Sequence, residues 1–194
     1  MRRAIIVTTC LFALAGCSAD QPSEAEVNNA MAKYTDQKGC ASSVLFKEFP
    51  IKPSHAKSNQ DIIKLFANVG LIEGLDGSYA LTDLGKEAYD PSMSGFCYTD
   101  NFTVSSVQIL KKDNDISSSL TGAWYVSFEI TPNNVSDWVK NEELINSASR
   151  LSEKNIEDSQ KYTVRVGKKV GSDELLVIDP RFSFQPGLSY NMSW

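Results

Sequence analysis

One histidine, His55, is all that the 194 residues contain, and its scarcity removes whole classes of chemistry. A Ser-His-Asp triad or a histidine-bound zinc needs that residue type in the site. His55 stands between Ser54 and Ala56 on a polar stretch, where a solvated side chain is expected. Also missing are a Gly-x-Ser-x-Gly elbow, a His-Glu-x-x-His helix and any Cys-x-x-Cys pair. Asp113-Asn114-Asp115-Ile116-Ser117 opens like a calcium loop. However, Ser118 stands where glycine must turn the chain and Trp124 where a glutamate must close it. Gly167-Lys168-Lys169 lacks the earlier glycine of a phosphate loop, and Glu142 and Glu143 are helix neighbours that point apart. No catalytic residue, cofactor or metal is nominated, and only a carboxylate-dependent hydrolase is left open among enzymes.

Long apolar runs are scarce too. The opening one, Ala4 to Ala15, has twelve residues, well short of the roughly 20 that cross a bilayer as a helix. It follows Arg2 and Arg3 and runs into Leu14-Ala15-Gly16-Cys17. A basic start, an apolar core and small residues before a cut make a secretory signal. With Cys17 in place, residues 1–20 resemble the signal of a bacterial lipoprotein, and the tetrad resembles its lipobox. The resemblance implies a diacylglyceryl group on Cys17, removal of 1–16, and acylation of the new amine. Several acyl chains give a lasting membrane anchor where one does not. Ser18 follows, where an aspartate holds such proteins at the inner membrane in enteric bacteria. The implied address is therefore the outer membrane, facing the periplasm.

Cysteine is sparse, four in all. Cys10 leaves with the leader and Cys17 takes the lipid, so Cys40 and Cys97 remain as an even pair in an oxidising compartment. One disulfide is expected. Charge is sparse on the basic side. Without the two leader arginines, 17 basic residues face 24 acidic ones, a net charge of −7. That balance argues against nucleic acid as a partner.

The mature chain opens with a short polar tether, 17–23. Ser-Glu-Ala-Glu at 23–26 is a capping box, and Val27, Ala30, Met31 and Tyr34 form one stripe, so a helix is expected over about 24–37. Pro50 and Pro53 mark 40–57 as mainly loop. Ser58 then caps a helix with Ile62, Leu65, Phe66 and Val69 on its buried face, ended by Gly70. A hairpin follows, Leu71–Glu73 and Tyr79–Leu81, and Thr82 caps a last helix before Pro91. The order of helix, Gly-Leu-Ile, hairpin and Tyr-x-Leu-Thr-x-x-Gly over 59–90 resembles the second half of winged-helix domains. That resemblance implies a fold, used here as a scaffold or protein-contact module. A DNA reader would carry cations on its wing, where this chain has Glu73 and Asp76, and the helix offers only Gln60, Lys64 and Asn68.

The second half is β-rich. Phe102–Leu110 is one strand, and Trp124, Val126, Phe128 and Ile130 alternate with polar neighbours in another. Asn134 is placed to cap a helix through about Arg150. Tyr162–Val166 and Leu175–Ile178 supply two more strands around a turn at 167–172, and the tail with Tyr190, Met192 and Trp194 is expected at an edge or on the surface. The expected fold is α+β: a helical, winged-helix-like part at 24–97, then a small, mainly antiparallel sheet with one helix at 98–194. The expected role is a lipid-anchored, non-catalytic module that binds an envelope protein. Leu75, Tyr79, Tyr190 and Trp194 are the candidate contacts. An immunity or inhibitor lipoprotein is the alternative.

Overall fold

Ser23 sets the first helix. In a computed structural model that describes residues 21–151 and 156–192, its hydroxyl accepts from the Glu26 amide while the Glu26 carboxylate accepts from the Ser23 amide. This reciprocal cap starts α1 (Glu24–Thr35), whose buried face is Val27, Ala30 and Met31. After it come β1 (Gly39–Ser42), a 3-10 turn at Val44–Phe46, α2 (Pro53–Ser58) and α3 (Gln60–Asn68). The hairpin of β2 (Ile72–Leu75) and β3 (Ser78–Leu81) turns through Asp76 and Gly77, both at positive φ. Such a two-residue turn matches the strand twist, and glycine meets its second position without strain. Thr82 then caps α4 (Asp83–Ala88), which leads through β4 (Tyr89–Asp90) to β5 (Gly95–Thr99).

The second half holds the long strands, β6 (Phe102–Asp113) and β7 (Leu120–Pro132). A 3-10 turn at Asp137–Lys140, α5 (Glu142–Asn146) and β8 (Arg150–Leu151) follow. The chain ends with β9 (Gln160–Lys169), β10 (Leu175–Val177) and β11 (Leu188–Ser189). The long strands make one antiparallel sheet in the order β10-β9-β7-β6. The short ones make a second sheet in the order β4-β5-β1-β11-β8, in which β1 and β11 run parallel.

The expected helical, winged-helix-like part at 24–97 is therefore overturned. The chain is mostly sheet, its helices are sparse, and 24–97 supplies three strands of the short-stranded sheet. The local order of helix, hairpin and helix is present, but it has no core of its own. Ile63, Phe66 and Leu71 pack instead on Phe96, Tyr98, Trp138, Leu144 and Tyr190, drawn from both halves of the chain. Phe66 lies 5.4 Å from Phe96, 5.1 Å from Tyr190 and 4.5 Å from Phe46, ring centre to ring centre.

The helix on the long sheet is also not the expected one. Val27 and Met31 of α1 pack with Trp124, Val126, Phe128, Val164 and Val166. Phe182 and Phe184 close the same core, with Tyr34 5.0 Å from Phe182. The helix expected from Asn134 to Arg150 is broken. Asn134 is left-handed at φ 50°, and Asn141 caps α5 afresh by accepting from the Leu144 amide. The tail is not an edge either, because β11 lies between β1 and β8. No helix among the described residues is long and apolar enough to cross a membrane.

Cys40 and Cys97 sit opposite one another on β1 and β5 at disulfide distance. A bridge across 57 residues of chain restricts the unfolded state by on the order of 4 kcal/mol. Replacing both cysteines with alanine lowers unfolding stability by about 3–4 kcal/mol in urea titrations.

Candidate functional site

A polar cleft of about 320 Å³ opens where the two sheets meet. It lies just past the end of β5 and the paired ends of β6 and β7, and Thr99, Asn101, Asn133 and Trp138 form its walls. Thr99 is 4 % exposed, and its hydroxyl faces the backbone carbonyls of Asn101 (2.9 Å) and Asn133. The Asn133 amide group donates to the Asn101 side chain, and Thr103 donates to Asn133 Oδ1 at 2.8 Å. The Asn133 backbone N–H donates to the Asn101 carbonyl at 3.1 Å. These bonds lock two loops that are 32 residues apart in the chain.

One rim is charged. Lys38, on the link from α1 to β1, meets Asp90 at 2.8 Å. That hydrogen bond, with help from Ser92, holds the Asp90 carboxyl down at about 2, and the same partner raises the Lys38 ammonium above its ordinary value. Glu87 and Asp100 complete the rim. Trp138 is nearly buried in the wall, and its indole Nε1 finds no hydrogen-bond partner among the described residues. Cys97 of the bridged pair is part of the same wall. The arrangement offers amides, a carboxylate rim and an aromatic wall, which suits holding a polar ligand or a peptide loop.

A second feature is apolar, a pocket of about 220 Å³ lined by Val44, Leu45, Pro50, Ile51, His55 and Met192. His55 lies on α2, where its exposed side chain borders this pocket and not the polar cleft. Beside it the hairpin is pinned one step from its turn, where Ile51 and Tyr79 exchange backbone hydrogen bonds. Tyr79 is half-buried, and Leu75 at the tip is 53 % exposed.

Of the expected contact residues, Leu75 and Tyr79 share the hairpin, but its register turns them to opposite faces. Tyr190 lies elsewhere: it is 4 % exposed, and its hydroxyl donates to the Leu144 carbonyl at 2.8 Å. Burial pushes that phenol far up, so it stays a neutral donor and presents no surface to a partner. Cys17 and Trp194 lie outside the described residues. The calcium-like stretch is an ion-paired turn. Arg165 meets Asp113 at 2.6 Å and donates to the Asp115 carbonyl at 2.8 Å.

The sequence reading missed Thr99, Asn101 and Asn133. Their partnership follows no motif spacing, and the only local signal is the Asn133-Asn134 pair closing a clearly alternating strand.

Thr99→Val keeps the shape but removes the one hydroxyl donor, leaving the Asn133 carbonyl without it while the Asn101 carbonyl keeps the Asn133 N–H. A loss of about 1–3 kcal/mol in unfolding stability is expected, with faster amide exchange at Asn101 and Asn133. Asp90 gives a pH signature. Its folded carboxyl titrates at about 2 against an ordinary 3.8, so its contribution is whole above pH 3.8 and is lost as pH falls through 2. Asp90→Asn flattens that part of the stability curve by about 1 kcal/mol once solvent screening is allowed for, measured by urea unfolding at a series of acid pH values.

Comparisons with protein-family models, with curated proteins and with solved structures find no match to this chain.

Proposed function

We propose that the protein is a lipoprotein of the bacterial cell envelope, anchored through acyl chains on Cys17 with its folded part toward the periplasm, and that it works by binding an envelope protein rather than by catalysis. The observation that carries the anchor is the tetrad Leu14-Ala15-Gly16-Cys17 behind a basic start and a short apolar run. Ser18 in the next position favours the outer membrane.

The binding role draws its support from the distribution of exposed apolar side chains. Val44, Leu75, Leu84 and Met93 are each more than 40 % exposed, and all come from the stretch that wraps the short-stranded sheet. Leu75 is the clearest of them. It stands at the tip of a two-stranded hairpin that Ile51 holds at Tyr79, one step from the turn, so the exposed side chain sits on a fixed support. An exposed large apolar side chain on a fixed support offers area that a partner gains by covering. An inhibitor or immunity lipoprotein would use the same surface and differ only in having a single tight target.

Crosslinking in intact cells, followed by affinity capture, tests both parts. Wild-type protein is expected in the membrane fraction with one dominant crosslinked partner. Cys17→Ser moves it to the soluble fraction. Leu75→Asp keeps the membrane fraction and the unfolding midpoint, but weakens the partner crosslink by roughly tenfold, the loss of one anchor residue. Retention of Cys17→Ser in the membrane removes the lipid anchor, and an unchanged crosslink in Leu75→Asp removes the hairpin as the contact.

A further inference from the structure

We infer that one end of the long sheet, where β6 turns into β7 and β9 turns into β10, rests on the lipid surface and holds the polar cleft away from it. The inference rests on the reading of Cys17 as lipidated, and adds which side of the folded part meets the membrane.

The path of α1 sets the geometry. Six residues from Cys17 to Pro22 span at most about 20 Å when fully extended, so Ser23 cannot leave the neighbourhood of the bilayer. The first turn of α1 is fixed in turn to the sheet, because Glu26 pairs with Lys168. This contact, backed by the Ser23 cap, holds the Glu26 carboxyl down at about 2. Lys168 lies at the end of β9, opposite Gly122 on one side and Leu175 on the other. The root of the tether and the two turns thus share one end of the sheet.

That end carries the most exposed large apolar side chain among the described residues. Val170, at 61 % exposure, sits at the start of the β9–β10 turn, and its amide donates to the Ser119 carbonyl of the β6–β7 turn. The two turns are therefore tied together with a valine at the surface. Lys168 and Lys169 are offset by nearby Asp173 and Glu174, so the end is no basic patch. Its attachment comes from the lipid and the short tether, with Val170 as the side chain that meets the lipid interface.

The cleft lies at the opposite end. From Asp113–Ala123 the β6–β7 pairing runs to Phe102–Pro132, about 30 Å away, and the cleft begins just beyond. Helix α1 makes the same journey, from Lys168 at its start to Lys38 on the cleft rim.

The test uses full-length lipidated protein in vesicles of phosphatidylethanolamine and phosphatidylglycerol containing a doxyl-labelled lipid. Val170→Cys and Asp137→Cys each add one free thiol for a fluorophore, the second next to the cleft residues Ser136 and Trp138. Several-fold stronger quenching at position 170 than at 137 is expected, with no quenching at either in a lipid-free form that begins at Ser18 and so lacks both Cys10 and Cys17. Equal quenching, or stronger quenching at 137, in protein that floats with the vesicles overturns the orientation and leaves the anchor intact. Wild-type protein that does not float overturns both.

Discussion

Strand β1 is only four residues long, yet a strand from the middle of the chain and one from near its described C-terminal end are both fastened to it. On one side it pairs with β5 and is bridged from Cys40 to Cys97; on the other it pairs in parallel with β11. Its neighbours must come unusually close. A side chain at Gly187 would meet the Cys40 carbonyl, and one at Gly95 would meet the Ala41 carbonyl. Because the aromatic cluster of Phe46, Phe66, Phe96 and Tyr190 is hung from these strands, the first core exists only while this pairing holds. The cleft depends on it too, since Lys38 immediately precedes β1 and Thr99 ends β5.

Local rules of the chain were legible where local physics decided the outcome. Ser23 and Glu26 satisfy one another within a single turn, so the start of α1 could be placed from four letters. The alternation through Trp124, Val126, Phe128 and Ile130 showed β7 as a half-buried strand for the same reason. The partners of these elements were not legible. The stripe of α1 fits any apolar surface, and nothing in it says that the surface is built from residues 100 positions away. Strand β11 is two residues, too short to show a period, and only its neighbours make it a central strand.

The two failures of helix assignment have one cause. In the winged-helix-like stretch, Leu65 and Phe66 are buried as expected, but Ile63 takes the buried place expected of Ile62, and the surface they pack on comes from Phe96, Trp138 and Tyr190. Between Asn134 and Arg150, the apolar spacing suited a helix, but Asn141 offers its side chain to the Leu144 amide and begins a new one. In both places a pattern of apolar residues was real while the continuous element drawn through it was not. The cleft was hidden for a related reason. Asn101 and Asn133 gain meaning only when a β-hairpin sets their loops side by side.

The placement of β11 has a consequence in time. A chain made N-terminus first cannot finish the short-stranded sheet until Leu188 and Ser189 are free to slide between β1 and β8. Until then Ala41 and Phe96 lack the companion strand and Tyr190 that cover them. Contacts closed over such a long stretch of sequence form late. Premature locking of the short-stranded sheet is therefore disfavoured by topology, and one edge of β1 stays unpaired until β11 arrives.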